Sequence, residues 1–377
     1  MENLRKILGR RITEMRKSLK LTQADLAKEI GVSSPQIISQ IEQGKREVGA
    51  WELAKFAKIL RTTTNTLLDI AEPKPLPEVL WRRIPEQEEI KKADFLKHCQ
   101  EYHDLERLND IAPYENVPRE KMDFNKADYQ DITQLAERIS RDISLGARPA
   151  AMLERALEDR YGVKVWYMYL GKDGSAASTV GTFGYAILMN SMEAPWRRNY
   201  NFAHEVFHLV TWYSEKPDVL RNDEQLWQKV ERFAEVFASC LLLPGDPLTL
   251  AFDKRIKKGS INYTDFIEIA REFDVSTEAL LYRLLNLRRL TRKDVDRLLG
   301  DPQFRDMDRS TMSKSWWSPP ELPERFVRLA FIAYKKGRIT RARLARYLNT
   351  SLFDLDDLLK EYGLNDREDC KIKVRYT

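Results

Sequence analysis

The chain has 377 residues, 43% of them hydrophobic and 32% charged, the balance of a soluble globular protein long enough for two or three domains. No apolar run approaches the roughly eighteen residues that a membrane span needs, and the first eleven residues are charged where a secretory signal would be apolar. A membrane or secreted protein is therefore not expected, and a cytoplasmic one is. Cys99, Cys240 and Cys370 form no C-x-x-C pair, which argues against a disulfide framework and against a cysteine metal site.

The net charge of +5 is concentrated at the start: residues 1–70 hold thirteen Lys and Arg against eight Asp and Glu, a footprint suited to a polyanion. Ile7, Ile12, Met15 and Leu19 form a first helical stripe. Thr22 then caps a short helix from Gln23 to Ile30 with Leu26 and Ala27 inward, and Gly31 ends it. A second short helix starts at Val32 and Ser33, with Ile37, Ile38 and Ile41 toward the core and Ser34, Gln36, Ser39 and Gln40 outward. Trp51, Leu53, Phe56, Ala57, Leu60, Leu67 and Leu68 complete a five-helix bundle. Two short helices joined by a glycine turn make a helix-turn-helix, and the polar face of the second suits base edges in the major groove of double-stranded DNA.

The run from Leu21-Thr22-Gln23-Ala24-Asp25-Leu26-Ala27 through Gly31-Val32-Ser33 to Ile38-Ser39-Gln40-Ile41-Glu42-Gln43-Gly44-Lys45-Arg46 resembles the Xre/Cro/repressor-type helix-turn-helix family. The resemblance implies that Gln23 contacts phosphate and that the third helix enters the major groove. Ser33, Ser34, Gln36, Ser39, Gln40, Lys45 and Arg46 are the further DNA-binding candidates, on an operator expected to be bound by a homodimer.

Pro73, Pro75 and Pro77 predict a stiff linker at the head of a segment 71–130, whose part from Val79 to about Asp110 reads as a charged helix. His98 and His103 lie there five apart, poor spacing for one helical face, and read as solvated.

Residues 131–300 predict an α+β domain. Helices are expected through Ile139 and from Pro149 to Arg160, and strands at Val163–Leu170 and Gly184–Met189. The second strand comes just before the next helix and is a candidate edge for an added peptide strand. In that helix His204-Glu205-Val206-Phe207-His208 reads H-E-x-x-H. Side chains four apart share a helical face, so both imidazoles can reach one zinc ion, and Glu205 beside them can hold the water the metal activates and take its proton as general base. The flanks are apolar, so a buried site explains the two histidines better than a surface helix does.

A third ligand is sought downstream, where Leu226, Val230, Phe233, Ala234, Phe237, Ala238 and Leu241 form an amphipathic stripe. Glu231 and Glu235 flank it. Such a pair is most often a solvated edge, but Ala234 and Ala238 let another helix approach, which fits Glu231 as a metal ligand and Glu235 as an outer partner of a ligand histidine. Cys240, among apolar neighbours, reads as a small buried hydrophobe.

The strings Asn201-Phe202-Ala203-His204-Glu205-Val206-Phe207-His208-Leu209, Glu231-Arg232-Phe233-Ala234-Glu235-Val236-Phe237-Ala238 and Leu241-Leu242-Leu243-Pro244 together resemble the ImmA/IrrE family of zinc metallopeptidases, over roughly residues 130–300. The resemblance implies a zincin-like domain in which His204, His208 and Glu231 bind zinc. Glu235 stands where that family usually has asparagine. Residues 301–377 are expected to form a helical C-terminal extension, within which Pro323 to about Gly363 resembles the small helical extension that many family members carry.

The expected fold is thus mainly α with a small α+β domain, and the expected protein a DNA-binding regulator with a zinc endopeptidase that cleaves a repressor, an antitoxin or itself. The alternative is a DNA-binding regulator or antitoxin whose metallopeptidase-like domain acts as a sensor or partner-docking module without significant proteolysis.

Overall fold

The computed structural model describes residues 2–69, 76–112, 114, 117–214, 217–257, 259–312 and 317–365. Pro73, Pro75 and Cys370 lie outside them. The chain divides into two compact units, one of Met1–Cys99 with Pro113–Pro319 and one of Gln100–Ala112 with Pro320–Thr377.

The N-terminal bundle comprises α1 (Glu2–Ser18), α2 (Gln23–Ile30), α3 (Pro35–Glu42), α4 (Ala50–Ile59) and α5 (Thr64–Leu68). Thr22 and Asp25 cap α2 reciprocally: the Asp25 N–H donates to Thr22 Oγ1 at 3.1 Å and the Thr22 N–H to Asp25 Oδ2 at 2.8 Å, which satisfies two donors at the helix start. Gly31, at φ 81°, ends it in the left-handed conformation that glycine adopts without strain. Ile12, Leu26, Ile30, Ile38 and Phe56 have no exposed area and form the core. Arg16 joins α1 to α3 and to the turn before α2, donating to both Glu42 carboxylate oxygens at 2.7 and 3.2 Å and to the Leu21 carbonyl at 2.7 Å. Trp51 and Leu68, expected in this core, are 58% and 56% exposed. The turn of α4 that buries Glu52 and Phe56, four apart, leaves Trp51 outside, with the Lys55 ammonium 5.0 Å from its ring.

The sheet holds β1 (Val79–Trp81), β2 (Lys164–Met168), β3 (Ala176–Gly181) and β4 (Gly184–Asn190) in the order β1-β3-β4-β2. β3 pairs antiparallel with both β1 and β4, while β2 runs parallel to β4. Three expectations are corrected here. The segment from Val79 opens as a strand, because Val79, Leu80 and Trp81 are all buried against β3, and α6 begins only at Glu88, running to Leu108. β4 is not an edge, since the short run Ala176–Gly181, too small in apolar bulk to read as a strand, forms β3 beside it. His98 is half-buried rather than solvated, its ring stacked 4.3 Å from that of Trp166, and His103 is 24% exposed and 3.9 Å from Glu106.

The helices of the same unit follow as α7 (Tyr129–Asp142), α8 (Leu153–Tyr161), α9 (Pro195–Val210), α10 (Pro217–Asn222), α11 (Glu224–Leu242), α12 (Gly245–Asp253), α13 (Tyr263–Glu272), α14 (Thr277–Asn286), α15 (Arg292–Gly300) and α16 (Pro302–Met312). α9 lies between the sheet, through β3 and β4, and α11, which also packs on α7. Cys240 is buried as expected, and its Sγ also accepts from Arg283 Nη1 at 3.1 Å.

The second unit contains α17 (Glu324–Lys335), α18 (Arg341–Tyr347) and α19 (Leu355–Glu361). Tyr102 and Phe326, with ring centroids 5.4 Å apart, lie in its core, and buried Glu106 accepts from Arg325 at 2.9 Å. The fold is mainly α with one small mixed sheet. Among the described residues no single helix is long and apolar enough to cross a membrane.

Candidate metal centre

Both histidines of the H-E-x-x-H string lie on the face of α9 turned toward α11. Their Nε2 atoms stand 3.1 Å apart, and Glu231 of α11 reaches both, with 3.4 Å from His204 Nε2 to Oε2 and 3.2 Å from His208 Nε2 to Oε1. The approach depends on small residues: Ala203, Ala234 and Ala238 have no exposed area, so the two helices meet closely enough for a glutamate to span the gap. The indole of Trp227 stacks on His208, 5.9 Å between centroids and 15° between planes, which leaves that ring little freedom.

One donor atom each from His204, His208 and Glu231 falls within 4.8 Å of the others. Glu231 turns one carboxylate oxygen to each histidine, and the buried Glu205 beside them has no hydrogen-bond partner on either oxygen among the described residues, an expense that protein interiors rarely carry unless something else binds there. Two imidazole nitrogens and one carboxylate oxygen suit a zinc-like divalent ion with a position left open. The group fits.

Burial and the shared carboxylate set the charges of the three groups. Burial drives the His204 imidazole down to about 3 against the pull of Glu231, so it is neutral, as a ligand must be. Burial also opposes charge on His208, but Glu231 and Glu205 outweigh it and the net shift is upward. Burial would raise Glu231, yet hydrogen bonds from the two histidines hold it well below the ordinary carboxylate range.

Glu205 has no exposed area, and neither carboxylate oxygen has a hydrogen-bond partner among the described residues. Burial pushes it up to about 7, with His208, the Ser178 hydroxyl and Arg82 pulling the other way. A carboxyl poised near neutrality can both take and return a proton.

Glu235, one turn beyond Glu231, places Oε1 3.7 Å from His204 Nδ1. The same oxygen accepts from Arg82 Nη2 at 2.7 Å. Sequence reasoning passed over Arg82: it directly follows β1 and lies far upstream of α9, and no local pattern marks it. Only the pairing of β1 with β3 brings it to the site.

The DNA-binding candidates divide by exposure. Gln36 and Gln40, four apart on α3, are exposed with Ser33 and Lys45, whereas Gln23, Ser34, Ser39 and Arg46 are half-buried. Gln23 donates to Glu42 at 2.7 Å, Ser34 is the N-cap residue of α3, Ser39 accepts from Gln43 at 3.1 Å and Arg46 pairs with buried Glu52 at 2.9 Å.

Residues 12–67 match the family model described as helix-turn-helix, and residues 158–285 match the one described as the IrrE N-terminal-like domain, Peptidase_M78. Among curated proteins none matches the chain significantly. A solved structure titled Mycobacterium tuberculosis transcriptional regulator is 18% identical over 49% of this chain and 51% of its own, with a TM-score of 0.32; the chain spans about half the length of that protein, and so distant a likeness carries no argument. The two family matches, one running from within α1 into α5 and the other including the paired helices α9 and α11, show a helix-turn-helix domain of the Xre/Cro type joined in one chain to an ImmA/IrrE-like domain of the Peptidase_M78 family.

Proposed function

We propose that this helix-turn-helix regulator is a zinc-dependent endopeptidase that cleaves a protein partner, a repressor or an antitoxin, or itself, and thereby couples proteolysis to control of a promoter. The observation that carries the reading is the convergence of His204, His208 and Glu231 within 4.8 Å beside a carboxylate, Glu205, that is buried and unpaired. A scaffold would need neither. Zinc held by the three ligands would supply a Lewis acid that polarises a peptide carbonyl and lowers the pKa of water. Glu205 orients that water, accepts its proton at a carboxylate oxygen and returns it to the leaving amine. Residues 1–70 hold the protein on its operator as a homodimer in the cytoplasm, with Gln36 and Gln40 toward the bases.

One observation favours the alternative, a docking module without turnover: Glu205 and His204 have no exposed area, so a substrate must reach them past Glu231, which is 26% exposed. A Glu205→Gln strain separates the two. With a reporter on the protein's own promoter and gel analysis of candidate partners, cleavage and regulation are both expected to vanish, since losing a general base costs on the order of a hundredfold or more in rate. An unaltered response, with no cleavage in either strain, would transfer the function to DNA and partner binding.

A further inference from the structure

Glu235 and Glu231 lie four apart on one face of α11, so two carboxylates of the same helix look toward the histidine pair. A free Glu235 would be one more anionic donor competing for the ion. It is not free. Its Oε1 accepts from Arg82 Nη2 at 2.7 Å, and that oxygen lies 3.7 Å from His204 Nδ1, a buried ring nitrogen with no hydrogen-bond partner among the described residues. Arg82 is itself fixed in place. Its backbone N–H donates to the Ala176 carbonyl at 3.0 Å, extending the β1–β3 pairing, and its guanidinium lies 5.9 Å from the Tyr200 ring centroid. The Tyr200 hydroxyl in turn donates to the Glu235 carbonyl at 3.0 Å, tying the same turn of α11 to α9. The Arg82 side chain is 16% exposed against 44% for Glu235, so the cation is the inner and better anchored partner.

We propose that Arg82 is a positioning residue of the metal centre, which holds Glu235 as the outer acceptor for the His204 Nδ1–H and keeps that carboxylate out of the ligand set. The inference rests on the metal-binding reading given above. Metal-binding histidines ordinarily donate their second ring N–H to a carboxylate or carbonyl, and this fixes the tautomer and the ring orientation. Arginine suits the task because it stays charged and directs its donors in a plane, so the pair with Glu235 adds no net charge beside His204.

Zinc affinity by chelator competition and the cobalt(II) absorption spectrum of the full chain test this without any assay of turnover. Arg82→Met is expected to lower zinc affinity on the order of tenfold and to alter the cobalt bands as the released carboxylate enters the ligand set. In the Arg82→Met, Glu235→Gln double variant an amide of equal length still accepts from His204 but no longer competes as an anion. Its spectrum should return to the wild-type form, with most of the affinity. Glu235→Ala, at a more exposed helical position, should by itself cost on the order of tenfold in zinc affinity, and it decides the matter if Arg82→Met does not fold. Wild-type affinity and spectrum in Arg82→Met, wild-type affinity in Glu235→Ala, or an Arg82→Met defect that Glu235→Gln does not relieve, overturns the proposal. Failure of the metal reading looks different: His204→Ala and Glu231→Ala would then keep their zinc.

Discussion

At the scale of single residues the centre is defined by what each donor lacks. Glu205 keeps two buried oxygens without a hydrogen-bond partner among the described residues, burial holds His204 neutral, and the two Nε2 atoms face each other at 3.1 Å with Glu231 against both. The purified chain is therefore expected to hold one zinc per protomer, lost on His204→Ala and on Glu231→Ala and retained on Glu205→Gln, with elemental analysis as the measurement. Zinc retained in both ligand variants would show that the site is elsewhere. Zinc retained in Glu231→Ala alone would transfer the third place to Glu235 or Glu224.

At the scale of elements, the packing of α3 on α1 depends on a close backbone approach. Gly9 of α1 faces the end of α3 so tightly that an added Cβ would lie 2.4 Å from the Glu42 carbonyl oxygen and 2.5 Å from that of Ile41. Backbone atoms cannot swing aside as a side-chain tip can. Gly9→Ala should therefore push α3 off α1, destabilise the bundle by about 1–3 kcal/mol and weaken DNA binding, read as a lower urea midpoint together with a higher dissociation constant on the operator. An unchanged midpoint would mean that the two helices yield at no cost. The same contact explains how Arg16 of α1 reaches Glu42 of α3.

At the scale of the whole molecule, the two proposed activities should respond to different agents. Operator affinity should fall as salt rises, because phosphate contacts release counterions, and Gln36→Ala or Gln40→Ala should weaken specific binding by about 1–3 kcal/mol while sparing non-specific binding. Gel shifts on operator and on scrambled duplex, across a salt series, measure both; equal losses on the two duplexes would refute base reading by α3. Removing metal with a chelator should instead lower the melting temperature, since an ion that binds only the folded site stabilises it, and His208→Ala should be insensitive to the chelator.

Much of this was legible in the chain alone because the signals are local. The cap at Thr22, the glycine at 31 and the apolar spacing of α2 and α3 concern neighbours within a few residues, and so does the four-residue repeat that places His204 and His208 on one face of α9. The spacing of Ala234 and Ala238 even marked the face of α11 that the other helix would approach. Tertiary structure alone decided the rest. β3 is too poor in apolar bulk to announce itself, so the pairing that makes β4 central could not be read, and Trp51 looked like core until the turn of α4 that buries Phe56 placed it outside. Arg82 is the clearest case: its partnership with Glu235 spans more than a hundred and fifty residues, and it exists only because β1 pairs with β3, a long-range register that no periodicity within either segment encodes.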